Sequence, residues 1–221
     1  MLGVLFLAGV SFYLYRLLGG APNLHLKSSK SGAGAVTGTA KIAELTEYAS
    51  RLRAANKYTS AEKVYLQILK IDHKHVSTYS RLGTLYSAMK NYGDAIECFQ
   101  MTTQLKPSGT TFYNLGLAYF ENRNYIKAVA AFEKSIMFEP TVQRYIGLAK
   151  AYKKIGDNTK MIGALEQAIV IEPSTKVLWV LADAYDSIGK KHEASAVKQR
   201  IAQLDPRDER LRKQKIPAKA I

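Results

Sequence analysis

The hydrophobic positions of residues 42–207 recur at helical spacing, in a pattern that repeats every 33 or 34 residues. Each period contains two runs of apolar residues spaced three, four and seven positions apart, and a short polar break separates the runs. In one period, Tyr79, Leu82 and Tyr86 lie in the first run and Phe99 lies in the second. The pattern therefore predicts five consecutive pairs of amphipathic helices.

The best-preserved periods share a skeleton of seven residue types at fixed places. These residues are Tyr79, Leu82, Gly83, Tyr86, Ala95, Phe99 and Pro107 in one copy, and Phe112, Leu115, Gly116, Tyr119, Ala128, Phe132 and Pro140 in the next. The skeleton resembles the tetratricopeptide repeat, and the resemblance covers about three quarters of the chain. The resemblance implies antiparallel helix pairs that bind other proteins.

The predicted fold is all-α, a right-handed α-solenoid of five tetratricopeptide helix-turn-helix units. Their predicted ranges are 42–75, 76–108, 109–141, 142–174 and 175–207. Small residues such as Gly83 and Gly116 are expected to face Ala95 and Ala128 of the second helix, so that the two helix axes approach closely. Stacked units share one core, because a single pair cannot bury its apolar face alone.

The first 18 residues predict a single transmembrane helix. Residues 2–15 contain no charged side chain, and 18 residues of helix span about 27 Å, close to a hydrocarbon core of roughly 30 Å. Arg16, Lys27 and Lys30 follow the apolar run, so the positive-inside rule predicts a single-pass membrane protein whose repeats face the cytoplasm.

A cleaved signal peptide is the alternative interpretation of the same segment. The product would be an exported soluble binding module of the kind used in pilus or secretion assembly. Two observations weigh against it: no Lys or Arg precedes the apolar run, and the only small-residue cleavage site is the loose Gly19-Gly20-Ala21 stretch.

The two ends of the chain are polar and basic. Residues 19–41 are rich in Gly, Ser, Ala and Thr and predict a flexible linker. Residues 208–221 predict a basic tail whose first part forms a short capping helix over the last unit. The net charge is +14, and residues 1–41 and 207–221 each hold an excess of four positive charges. These ends predict contact with anionic lipid, whereas no recognisable nucleic-acid fold accompanies the charge.

Residues for catalysis or metal binding do not form a recognisable set. His25, His73, His75 and His192 are scattered, so no histidine pair with a carboxylate partner has ligand spacing. Cys98 is the only cysteine, which excludes an intramolecular disulfide and a thiolate cluster. The sequence predicts a protein that is not an enzyme, with no catalytic residue, no metal site and no cofactor.

The resemblance places a binding groove for a protein or peptide on the first helices of the units. The side chains that the skeleton leaves free to line this groove include Thr84, Tyr113, Leu117, Phe120, Ile146, Lys150, Lys153, Trp179 and Asp183. The middle of the groove is apolar with lysines beside it, a mixture that suits an apolar segment carrying acidic groups. Trp179 fits either a partner contact or the protein interior.

Overall fold

A computed structural model describes the backbone of residues 33–213 and the side chains of residues 38–213. Within this range the regular elements are all α-helices. The chain divides into two compact units, with the boundary between Thr78 and Tyr79. The helices are α1 (Ala33–Ala54), α2 (Tyr58–Ile71), α3 (Val76–Ala88), α4 (Tyr92–Leu105), α5 (Gly109–Glu121), α6 (Tyr125–Phe138), α7 (Val142–Ile155), α8 (Asn158–Ile171), α9 (Thr175–Ser187), α10 (Lys191–Leu204) and α11 (Glu209–Lys213).

The first unit contains the hairpin of α1 and α2, packed around Ala49, Ala61 and Tyr65, none of which is exposed. Helix α1 begins at Ala33, whereas the sequence predicted a flexible linker through residue 41. The linker prediction is wrong for residues 33–41. The cause is composition, since alanine has the highest helix propensity and offsets the glycines of this stretch.

The remaining parts of the predicted ends lie outside the described residues. These parts are the anchor (1–18), the rest of the linker (19–32) and the end of the basic tail (214–221). Among residues 33–213, none of the helices combines the length and the apolar character needed to cross a membrane.

The second unit stacks its hairpins in chain order. Helices α5 and α6, α7 and α8, and α9 and α10 pair with each other, and each second helix also contacts the first helix of the next pair. The helix starts at Val76, Gly109, Val142 and Thr175 coincide with the first residues of predicted units two to five. One hydrophobic cluster extends from Ala128 to Leu211, so neighbouring hairpins share their core.

Phenylalanine rings fill the space that the small residues of the first helices leave open. A Cβ atom added to Gly116 would lie 2.7 Å from the Phe132 ring, and one added to Gly83 would lie 2.7 Å from Phe99. The Phe132 ring also approaches Gly147 of the next hairpin, where an added Cβ would lie 3.1 Å away. The expectation that these glycines face alanines is therefore corrected: their nearest neighbours are aromatic rings of the second helix.

Each first helix ends in a left-handed residue that turns the chain into the second helix. These residues are Asn56, Lys90, Arg123, Gly156 and Gly189, with φ between 58° and 82°. Glycine adopts this conformation without a Cβ clash, whereas the other three side chains occupy it at a steric cost. Side-chain caps fix the next helix in two of the turns, since Asn124 accepts from the Lys127 amide and Asp157 from the Lys160 amide.

Candidate functional site

Two rows of side chains lie on neighbouring first helices of the second unit. Both rows use the i, i+4, i+7 spacing that places residues on one face of a helix. The rows are Tyr113, Leu117 and Phe120 on α5, and Ile146, Lys150 and Lys153 on α7. Since α5 contacts α7, the structure brings six of the nine predicted groove residues to adjacent helices.

The α5 row is apolar and is anchored at its two ends. The Tyr113 ring lies 5.6 Å from the Phe132 ring, and the Phe120 ring meets Tyr125 edge-on at 5.4 Å, both measured between centroids. Leu117, between them, is 38% exposed. Core packing thus holds the two aromatic rings in place while part of the row stays open to solvent.

The α7 row adds positive charge beside this apolar strip. Lys150 and Lys153 are exposed, and α7 contains no Asp or Glu. Among the described residues, no carboxylate lies within ion-pair distance of either lysine. The two rows together combine apolar area with uncompensated positive charge, which favours a ligand with apolar and acidic groups.

A shallow open pocket of about 780 Å³ lies at the helix ends next to Phe120. Its lining residues are Tyr92, Phe120, Glu121, Asn122, Arg123, Tyr125 and Lys154. Tyr92 and Arg123 were not among the predicted site residues. The sequence does contain a pattern that points to Tyr92, because Tyr92 and Tyr125 occupy equivalent repeat positions 33 residues apart.

Thr84 on α3 is exposed, but its hydroxyl is already used. The Thr84 Oγ1 donates to the Ser80 carbonyl oxygen at 3.0 Å, a bond within its own helix. Its contribution to a groove stays a prediction.

Residues 208–213, which we call the cap segment, cover Trp179 of α9 and contact the exposed Asp183 one turn further on. Trp179 is only 4% exposed, and its Nε1 donates to Asp208 Oδ2 at 2.9 Å. The Arg210 guanidinium lies 4.1 Å above the Trp179 ring and donates to both carboxylate oxygens of Asp183, at 3.0 and 3.1 Å. The prediction that Trp179 lines an open groove is wrong, because the cap segment fills the space above it.

Hydrogen bonding to Trp179 has the largest effect on Asp208 and lowers its pKa. Burial acts in the opposite direction, and hydrogen bonds from the backbone amides of Arg210 and Leu211 lower the pKa further. Asp208 therefore stays ionised where it accepts the indole N–H. Among the basic residues of the cap segment, Arg210 is paired with Asp183 and Lys213 with Glu209. Two of the basic side chains that the sequence assigned to lipid contact are therefore paired with carboxylates of the protein itself.

Two further polar contacts stabilise the middle hairpins. Burial raises the pKa of Tyr152, and its hydroxyl donates to Glu133 at 2.6 Å, which raises it further. The Arg144 side chain is 8% exposed and pairs with Glu139 at 2.8 Å. Both pairs join parts of neighbouring hairpins.

One of the scattered histidines, His75, has a hydrogen-bond partner in its own helix turn. The His75 Nδ1 lies 2.8 Å from Thr78 Oγ1, and Cys98 is buried. Within residues 33–213, no group of three His, Cys, Asp or Glu side chains is arranged to hold a metal ion.

These features define an all-helical repeat protein whose neighbouring first helices carry the two rows. Sequence patterns of the tetratricopeptide repeat match residues 76–108, 110–142 and 142–175. Residues 76–175 are therefore tetratricopeptide repeats, modules that act as protein interaction scaffolds. No curated protein matches the chain in sequence.

Solved structures with the same fold cover most of the chain. A crystal structure of the MamA protein has a TM-score of 0.68 at 24% identity and covers 80% of this chain and 97% of its own. MamA from Desulfovibrio magneticus RS-1 has a TM-score of 0.67 at 16% identity, covering 76% and 97%. YrrB, described as a TPR protein with an unusual peptide-binding site, has a TM-score of 0.63 at 14% identity, covering 86% and 100%. These likenesses establish the fold.

Proposed function

We propose that this protein is a scaffold that binds a partner segment across the rows of α5 and α7. The observation that carries the proposal is the juxtaposition of the apolar α5 row with Lys150 and Lys153 of α7. The bound segment would place an apolar side chain over Leu117 and carboxylates near the two lysines. Apolar contact would supply affinity, and the lysines would orient the acidic partner and speed its association.

Crosslinking from within the rows tests this site in the full chain. A photoreactive phenylalanine analogue replaces Leu117 in one variant and exposed Lys191 of α10 in a control variant. We expect Leu117 alone to capture a partner segment rich in acidic and apolar residues. The capture should fall at least tenfold in Lys150→Glu/Lys153→Glu and persist in the matched reversal Lys191→Glu/Arg200→Glu. Equal capture from both positions would contradict the proposal.

The proposal includes a membrane tether formed by residues 1–18, with the repeats on the cytoplasmic side. Its support is the uncharged stretch of residues 2–15 and the basic residues that follow it. The basic ends would add contact with anionic head groups. An anchored scaffold would concentrate its partner at the membrane surface.

Cell fractionation tests the tether independently of the binding site. With a C-terminal tag on the full chain, the protein should stay in membranes washed with high salt and carbonate. The tag should be protected from protease in right-side-out vesicles and digested after lysis. A shortened soluble product outside the cytoplasm would support the exported module instead.

A further inference from the structure

We propose that the Trp179 ring and the Asp183 carboxylate form an arginine-binding site, which the cap segment fills with Arg210 and which an arginine-bearing segment of a partner protein can occupy in its place. This site lies on α9 and is separate from the rows of α5 and α7. The two proposals therefore stand or fall separately.

The chemistry of the site matches a guanidinium group at two places. The ring face of Trp179 takes the flat cation at 4.1 Å, and Asp183 accepts two hydrogen bonds from the same Nη2 atom. The indole N–H adds a third point of recognition, because it selects a carboxylate two residues before the arginine, as Asp208 stands before Arg210. A lysine ammonium lacks the planar shape for stacking on the ring, so the site favours arginine.

The combination is particular to the fifth repeat. The two equivalent first-helix positions of repeats two to five hold Ser80 and Thr84, Tyr113 and Leu117, Ile146 and Lys150, and Trp179 and Asp183. Only the last pair joins an aromatic face to a carboxylate. The same two positions of the repeat therefore carry an acidic aromatic site at α9 and an apolar and basic surface on α5 and α7.

The cap segment is held by contacts weak enough for it to detach from α9. Helix α11 has five residues, too few to persist without its contacts. Arg210 and Asp183 are 48% and 54% exposed at the side chain, so water screens their ion pair. Leu211 is the buried residue of α11. The site beneath is rigid by contrast, because α9 buries Leu178, Leu181 and Ala182 in the shared core.

The test uses the full chain and a labelled peptide with the sequence of residues 206–213. Arg210→Ala releases the cap segment, and Arg212→Ala is the matched control, since Arg212 is exposed on the same helix and carries the same charge. We expect the peptide to bind Arg210→Ala at least tenfold more tightly than the native chain or Arg212→Ala, measured by anisotropy. A peptide with alanine or lysine at the position of Arg210 should bind Arg210→Ala at least tenfold more weakly.

The emission of Trp179, the single tryptophan, gives a second readout without any peptide. It should shift in Arg210→Ala and in Asp183→Asn, stay native in Arg212→Ala, and return toward native when the peptide fills Arg210→Ala. Far-UV circular dichroism must show native helicity in each variant. Equal peptide affinity for the native chain and both arginine variants would overturn the proposal, as would unchanged emission in Arg210→Ala and Asp183→Asn. A native dimer that Arg210→Ala abolishes would assign the occupant to a second copy and overturn the assignment to a partner protein.

Discussion

The hairpins α5–α6 and α9–α10 are built on the same repeat but close their cores with different chemistry. In the middle hairpin, the Phe132 ring is 1% exposed and packs against Gly116. At the equivalent place of the last hairpin stands Lys198, whose Nζ pairs with Asp186 at 2.7 Å. A middle hairpin is covered by neighbours on both sides and needs a ring there. In the last hairpin, the aliphatic stem of Lys198 occupies that place, and its ammonium group pairs with a carboxylate at the edge.

Removing the side chain at this shared place should give the largest difference between the two hairpins. Phe132→Ala leaves a cavity between two hairpins and should lower the free energy of unfolding by about 3–5 kcal/mol. Lys198→Ala loses the packing of the lysine stem and an ion pair with the half-exposed Asp186, and should cost about 1–2 kcal/mol. Urea denaturation followed by far-UV circular dichroism measures both. Equal losses of unfolding free energy would show that Phe132 and Lys198 contribute equally to the two hairpins.

Gly116, which faces the Phe132 ring, provides a second test of how tightly the middle hairpin is packed. Gly116→Ala adds a Cβ 2.7 Å from Phe132 and should cost about 1–3 kcal/mol through overpacking. Gly163, inside α8, has no atom within 4 Å of an added Cβ. Gly163→Ala should therefore stabilise the protein by about 0.5–1 kcal/mol through helix propensity. A stabilising Gly116→Ala would contradict the ring contact.

The repeat frame could be predicted from the sequence because it depends on local spacing. Helix starts such as Val142 follow from prolines and from apolar periodicity, and both act within a few residues of the chain. A short capping helix over the last unit was predicted, but its contact with Trp179 could not be predicted in this way. It depends on Asp208, 29 residues further along the chain, and a tryptophan at that helix position suits either solvent or a covered face.

The left-handed turns show the same division between local rules and tertiary context. Gly156 is the residue type that favours the left-handed conformation, so a turn there is visible in the sequence. Arg123 adopts φ of 60° with no such signal, because its conformation follows from the two helices that it connects. The sequence predicts the apolar and basic rows as groove residues, and their role in binding stays a prediction. The packing of Tyr113 could not be predicted, because it depends on the positions of Phe132 and Gly147.

These turns provide a smaller test of how the hairpins differ. Gly156→Ala places a Cβ in the left-handed region at φ of 82° and should cost about 1 kcal/mol. Arg123→Gly relieves the same strain and should stabilise by about 0.5 kcal/mol, since the gain exceeds the added flexibility of the unfolded chain. Thermal unfolding of the two variants compares them directly. Destabilisation by Arg123→Gly would mean that the arginine side chain contributes more through its contacts than its backbone costs.

The smallest expected effect is the release of the cap segment by acid, which distinguishes the covered α9 face from the open α5 face. The pKa of Asp208 is lowered in the folded protein, so the extra strength of its charged bond to Trp179 is complete above the ordinary carboxyl pKa and is lost as the pH falls through the lowered one. The emission of Trp179 should therefore stay native as the pH is lowered past the ordinary carboxyl pKa of 3.8. At still lower pH it should shift, while far-UV circular dichroism still shows folded repeats.

Asp208→Asn separates this group from Asp183, the other carboxylate that faces the cap segment. The asparagine oxygen still accepts from the Trp179 indole but does not titrate, so an acid transition that remains does not come from position 208. The native transition should lose the part contributed by Asp208, and the neutral-pH emission should already lie nearer to that of the acid form, because the asparagine oxygen is an uncharged and weaker acceptor. A shift of Trp179 emission in the native protein at a pH above 3.8 would contradict the lowered pKa of Asp208, because a group that gains a hydrogen bond in its charged form must titrate at lower pH.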